Sequence, residues 1–237
     1  MTEDGRESHP PYRPPPRELV ALAAVLALVE IVLELSDHGL IGTGLRARVF
    51  AVGAFWAQLL HGARPIFDLQ PVTMFVSHAF LHGGFLHMAM NCVVLLGLGR
   101  LVSDLYGSRA ILPVFLAGAV AGGAVFGLLA TSPYPMVGAS GAIFAFVGVW
   151  VVGDWRRLRA AGRPVRPVLS RVFGFVLLNV IFFVALSGML AWEAHLGGFL
   201  AGLVAGVLLE NCRERKLEAR LAEARTAARA RREGRSP

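Results

Sequence analysis

Six apolar runs, at residues 19–35, 84–102, 110–130, 137–153, 172–190 and 194–209, dominate this chain. Each is close to the ~17 to 25 residues a helix needs to cross a bilayer. In hydrocarbon every backbone N–H and C=O must be satisfied within the protein, so runs of this length are read as membrane helices. Composition agrees: 55% of the 237 residues are apolar, 16% are charged, and the mean hydropathy is +0.60. The expected fold is an all-α membrane protein, a bundle of six transmembrane helices in one domain spanning 18–211. Residues 45–60 form a further apolar stretch, but Arg46, Arg48 and Gln58 interrupt it and Phe50, Phe55 and Trp56 enrich it in aromatics. Such a segment suits the membrane–water interface, so the first loop, 37–82, is expected to be partly interfacial.

Arginine placement orients the bundle. With six spans and both termini cytoplasmic, 20 of the 23 Lys and Arg residues fall in inner segments, and only Arg46, Arg48 and Arg64 lie outside. Positive residues concentrate on the cytoplasmic side, so the even-numbered spans enter from outside. Residues 1–17 carry Pro10, Pro11, Pro14, Pro15 and Pro16, and read as a disordered cytoplasmic extension, not a cleaved signal. The basic stretch 212–237 reads as a cytoplasmic tail, a surface helix fraying near Gly234. The net charge of +7 is explained by membrane-flanking residues that attract anionic lipid headgroups, so no nucleic-acid partner is expected. Cys92 and Cys212 fall at opposite ends of their helices, on opposite faces of the membrane, and are expected to be free thiols.

Polar residues gather just inside the starts of the second, fourth and sixth runs. All three starts face one side. Ser140 follows the start of the fourth run by three residues, ~5 Å at 1.5 Å per residue. His195 is similarly shallow in the sixth. His87 and Asn91, at i and i+4, share a face of the second, with His82 just before them. Gly138 and Gly141 flank Ser140 and leave its hydroxyl and the unpaired N–H groups of a helix start accessible. Gly198, Gly202 and Gly206 make a smooth stripe below His195, and Gly141 with Ala145 a matching patch on the fourth helix. Small-residue stripes bring membrane helices close enough for a serine–histidine hydrogen bond.

The alternative uses of these residues are packing, bridging and metal binding. A small-residue motif usually packs helices, and polar groups in membrane helices often only bridge neighbours. His78, His82 and His87 are spaced 4 and 5 apart, with no His-Glu-x-x-His pattern, so no metal and no cofactor are expected. A transporter is disfavoured because the acidic residues inside predicted spans are Glu30 and Glu34, in the outer half of the first.

The blocks 82–91 (HGGFLHMAMN), 138–141 (GASG) and 194–198 (AHLGG) together resemble the three signature blocks of the rhomboid intramembrane serine proteases. They stand in the right order at the starts of the second, fourth and sixth helices, and the resemblance runs from Leu19 to Leu209. It implies a six-helix rhomboid-like bundle and a serine endopeptidase that cleaves single-span membrane proteins near the outer end of their transmembrane helix. Ser140 would be the nucleophile and His195 the general base. His87 and Asn91, with the Ser140 N–H, would form the oxyanion hole. His82 would order the site, and Phe144 would pack on the histidine. Gly138, Gly141, Gly198 and Gly202 would support it.

The other reading the resemblance allows is a proteolytically inactive rhomboid-like binder or escort of membrane clients. Two departures stand out. Relatives commonly carry a Glu late in the second helix, where this chain has Ser103. They also carry a Trp-Arg pair in the first loop, where Phe55-Trp56-Ala57 is the nearest match. No acidic partner for the histidine is visible, so packing or water is expected to hold its tautomer. Partners are expected to be single-span substrates and membrane lipids, with the oligomeric state left open. The expected location is a bacterial inner membrane, with the site opening outward.

Overall fold

The computed structural model of the chain describes residues 14–131 and 133–232. Most of the expected N-terminal extension and the expected fraying near Gly234 lie outside the described residues. The helices are α1 (Arg17–Asp37), α2 (Leu45–Gly53), α3 (Gln70–Ser77), α4 (Phe85–Tyr106), α5 (Ile111–Leu129), α6 (Ser140–Ala160), α7 (Arg166–Ala185) and α8 (Trp192–Arg232). No strand occurs among the described residues, only an isolated bridge in which Phe55 and Met136 exchange two backbone hydrogen bonds of 2.9 Å.

Five of these helices are long and apolar enough to cross a membrane: α1, α4, α5 with the turn before it, α7 and most of α8. The sixth expected span is α6. It is uncharged from Ser140 through Gly153 and then carries Asp154, Arg156, Arg157 and Arg159. It sits at the centre of the bundle, burying Gly141, Ala142, Ala145, Phe146 and Gly148 among others, with α8 and α5 as its main neighbours. The main core joins α1, α4, α5 and α6 through Leu26, Leu95, Phe115 and Phe146.

The first loop is built differently from the spans. The stretch 45–60 breaks after Gly53 into α2 and a 3-10 turn, Ala57–His61, so neither piece is long enough to span. Between them Phe55 turns inward, fully buried and edge-on to Phe75, Phe126 and His78 at 5.0, 5.9 and 5.8 Å. This wedge and the Phe55–Met136 bridge tie the loop to the segment leading into α6.

Several helix boundaries differ from the hydropathy reading. α7 starts at Arg166, not 172, because Pro167 occupies its first turn, where a missing N–H costs nothing. It ends at Ala185, not 190, because Ser187 and Gly188 take positive φ of 51° and 81°. α8 runs without a break past residue 211 to Arg232. Near the middle of α8, Tyr106 Oη donates to Glu210 Oε1 at 2.6 Å, and Arg213 pairs with the same carboxylate at 3.1 Å. That link ties the end of α4 to α8, at the end of the helix where the commonly expected Glu is replaced by Ser103.

Candidate active site

α4, α6 and α8 start at the same end of the bundle, and the polar residues of those starts converge. His195 Nε2 lies 2.7 Å from Ser140 Oγ. Close packing of backbone on backbone sets this separation. A Cβ on Gly198 would overlap the carbonyl of Gly141, one on Gly202 the carbonyl of Ala145, and one on Gly148 the carbonyl of Phe199. A Cβ on Gly141 would meet the Ala194 carbonyl at 3.2 Å. The ring of Phe144 stacks on His195, centroids 4.4 Å apart and planes 9° from parallel, and meets Phe175 of α7 edge-on at 6.3 Å.

His87 approaches from α4. The Gly83 N–H donates to its Nδ1 at 3.3 Å, so the ring hydrogen of a neutral His87 is on Nε2. That nitrogen faces Gly138. A Cβ built there would lie 2.9 Å from Nε2 and 3.9 Å from Ser140 Oγ, so the two atoms border one small space. Gly138 has φ +123°, which a larger residue adopts only under strain. Asn91 is buried, and its Nδ2 donates to the carbonyl of His87 at 2.9 Å, so one of its two amide hydrogens is used within the helix.

His82 is fully buried and edge-on to His87 at 5.1 Å. Its Nε2 accepts from the Ala139 N–H at 3.4 Å, which fixes the turn into α6. Burial, with His87 alongside, pulls this imidazole down to about 3, so it stays neutral near pH 7. His78 points elsewhere, with its Nε2 3.3 Å from the Ala119 carbonyl, so the three neighbouring histidines do not converge on one point.

The acidic residues in the second half of α1 serve this end of the bundle. Glu30, buried in the bundle, pairs with Arg46 of α2 at 2.9 Å, and Glu34 and Asp37 take the other guanidinium nitrogens. Arg46 also donates to the His82 carbonyl at 2.8 Å. Glu34 accepts from the Phe85 N–H at 3.0 Å, capping the start of the helix that carries His87.

Sequence reasoning missed Asn179. Its Oδ1 contacts His195 Nδ1, so a side-chain amide from α7, neither water nor packing alone, meets the far nitrogen of the imidazole. The available signal was an amide isolated in an apolar run, since polar groups in membrane spans mark functional positions by default. Sequence reasoning also overlooked an acid near this site: Glu193, two residues before His195, is buried in the first turn of α8. A cavity of about 440 Å³ opens between α6, α7 and α8, lined by His195, Asn179 and apolar side chains including Val176, Val180, Phe183 and Trp192.

A bundle of membrane-length helices with a serine and a histidine from two of them in hydrogen-bond contact defines a class, the polytopic membrane proteins with a hydrolase-like pair inside the helical bundle. Within that class the chain belongs to the rhomboid family, whose Rhomboid domain model matches residues 70–212. Rhomboid protease GluP of Bacillus subtilis is 31% identical over 131 residues, 54% of this chain and 24% of GluP. Rhomboid-like protease 3 of Toxoplasma gondii is 27% identical over 143 residues, 59% of this chain and 52% of the relative. A Mycobacterium leprae protein, Uncharacterized protein ML1171, is 28% identical over 211 residues, 85% of this chain and 73% of its own. The chain thus spans about a quarter of GluP and about half of the Toxoplasma protein. It is an integral membrane protein of a family that includes serine intramembrane proteases.

Proposed function

We propose that this chain is an intramembrane serine endopeptidase acting through Ser140 and His195 on single-span membrane proteins, near the outer end of the substrate helix. The observation that carries this reading is the 2.7 Å contact between Ser140 Oγ and His195 Nε2 at the first residue of α6. A helix start supplies N–H groups without intrahelical partners, beside the nucleophile.

In the reaction, Ser140 Oγ attacks a backbone carbonyl carbon of the substrate while His195 Nε2 takes the hydroxyl proton. Negative charge developing on the carbonyl oxygen is met by His87 Nε2–H and the Ser140 N–H, with the second amide hydrogen of Asn91 as a further donor. His195 returns the proton to the leaving amine. Water then adds to the acyl-enzyme with His195 again as base, and the free acid leaves. The arginine distribution supports an outward-facing site in an inner membrane, where the shallow position of Ser140 gives that water access. A substrate helix must unwind to present its carbonyl, so small and helix-breaking residues near the cut favour cleavage.

An inactive client-binding role has less support, since both reacting groups are present and in contact. The test is incubation of the purified protein, in detergent or liposomes, with a tagged single-span substrate and separately with a fluorophosphonate. Cleavage and labelling are expected for wild type, neither for Ser140→Ala, and loss of cleavage for His195→Ala. Cleavage persisting in both variants overturns the proposal.

A further inference from the structure

We infer that Asn179 is a positioning residue that sets the tautomer of His195, which makes α7 part of the proton-transfer apparatus as well as a wall of the cavity. The inference rests on the protease reading for its kinetic consequence, but its chemistry stands on the hydrogen bonds alone.

Those bonds form an ordered chain. Asn179 Nδ2 donates to the carbonyl of Phe175, one turn earlier on α7, at 2.9 Å. A carbonyl only accepts, so this bond fixes which end of the amide is which, and Oδ1 is the atom turned to His195 Nδ1. Two acceptors cannot share a hydrogen bond, so Nδ1 of a neutral His195 must carry the hydrogen. Nε2 is then the unprotonated nitrogen, and it is the one 2.7 Å from Ser140 Oγ. The Phe175 carbonyl thus decides the amide, the amide decides the tautomer, and the tautomer decides that the imidazole accepts the serine proton. The opposite tautomer would oppose lone pairs at Nδ1 and Oδ1 in a buried site, where an unpaired acceptor is costly. Phe144 fixes the plane of the ring, and Asn179 fixes its protonation.

The amide is neutral, so it orients the imidazole without bringing a negative charge to the imidazolium formed during reaction. It is also carried by a weakly held helix. Val168 is the buried residue of α7, and the helix is anchored toward its inner end by Arg171, which pairs with Asp154 at 2.7 Å and lies over Trp150 at 5.2 Å. Farther out, the Phe175 ring contact and the Asn179 hydrogen bond reach across to the site.

The test compares wild type with Asn179→Leu, which keeps the volume and removes the acceptor, and Asn179→Asp, which restores an acceptor. Each is assayed for kcat and KM on a single-span substrate, for fluorophosphonate labelling rate, and for melting temperature in detergent. The ¹⁵N histidine spectrum, with the His195 signal identified by its loss in His195→Gln, reads the tautomer directly. Asn179→Leu is expected to lower kcat and the labelling rate about 10²-fold at unchanged KM and melting temperature. Its His195 signal is expected to change from the Nδ1–H form to a mixture, and Asn179→Asp to recover most of the rate. An Nδ1–H signal that persists unchanged in folded Asn179→Leu, or unchanged rates while Ser140→Ala is dead, overturns the inference and leaves the protease reading intact. If wild type itself neither labels nor cleaves, the protease reading fails, and the spectrum still decides the role of Asn179.

Discussion

α8 and α7 both reach the same imidazole, yet they are attached to the bundle in opposite ways. α8 presses its glycine stripe directly onto the backbone of α6, so that Gly198 and Gly202 have no room for a side chain. α7 meets the bundle through side-chain tips and a cavity of about 440 Å³. One helix pair holds the serine and histidine at a fixed distance, and the other helix meets them through few side-chain contacts. On the proposed protease reading, proton transfer needs sub-ångström constancy between two groups and a polypeptide substrate needs an opening, and these demands would fall to different helices.

The largest effect expected from this contrast is on folding. In Gly198→Leu the new Cβ meets the Gly141 carbonyl, a backbone atom that cannot rotate away. Overpacking of this kind costs at or above ~3 kcal/mol, and loss of folded protein in detergent is expected. Leu177→Ala, on the exposed face of α7, is expected to change stability by under ~0.5 kcal/mol. Melting curves of equal depression for the two would remove the distinction between a clamped and a loose helix.

Next in size is a loss of rate without a loss of fold. His87→Ala removes the Nε2–H that borders the space beside Ser140, and a donor to a developing oxyanion typically contributes ~10² to 10³ in rate. Asn91→Ala is expected to cost less, because one of its amide hydrogens is already given to the His87 carbonyl. The check is kcat for both variants alongside their melting temperatures. A larger loss for Asn91→Ala would reverse their assigned weights.

The clamped part of the molecule was legible in the sequence, whereas of α7 the apolar span was legible and the contact to His195 was not. Glycine every four residues, a serine between small residues and histidines at helix starts are local patterns, and tight packing follows from them because small residues leave one way to approach. The site residues on α7 follow no such pattern. Asn179 lies in an apolar run, and its partner is 16 residues away on another helix, so nothing in its spacing points to His195. The ends of α7 escaped hydropathy for a related reason: the positive φ at Ser187 and Gly188 stops the helix inside a run that stays apolar to residue 190. Glu30 and Glu34 looked like isolated charges in a span because Arg46, their common partner, sits in a loop 12 to 16 residues on.

A smaller effect tests the clamped part away from Ser140. Tyr106→Phe deletes the hydrogen bond that ties α4 to Glu210 of α8, and a net loss of ~1 kcal/mol is expected. Arg213 still pairs with that carboxylate, so the charge is not orphaned. Activity at a temperature well below melting should be unchanged, because the link is far from Ser140. A fall in kcat without a fall in stability would mean that the Tyr106–Glu210 link communicates with the site.

The smallest effect, and the one of opposite sign, concerns the loose helix itself. Phe183 and Trp192 line the cavity, so shrinking either to Ala should widen lateral entry. Turnover of a membrane-embedded substrate is expected to rise a few-fold, with no change in labelling by a small fluorophosphonate that needs no such opening. The gain is bounded by the second task of α7. Phe183 lies one turn beyond Asn179, so trimming it leaves the contacts to His195 in place, whereas deleting the Phe175 ring removes the edge contact that holds Phe144 against His195. Phe175→Ala should therefore lower kcat even though it removes bulk from the same cavity. If Phe175→Ala and Phe183→Ala accelerate cleavage alike, α7 is only a gate, and the distinction between opening the site and disarming it disappears.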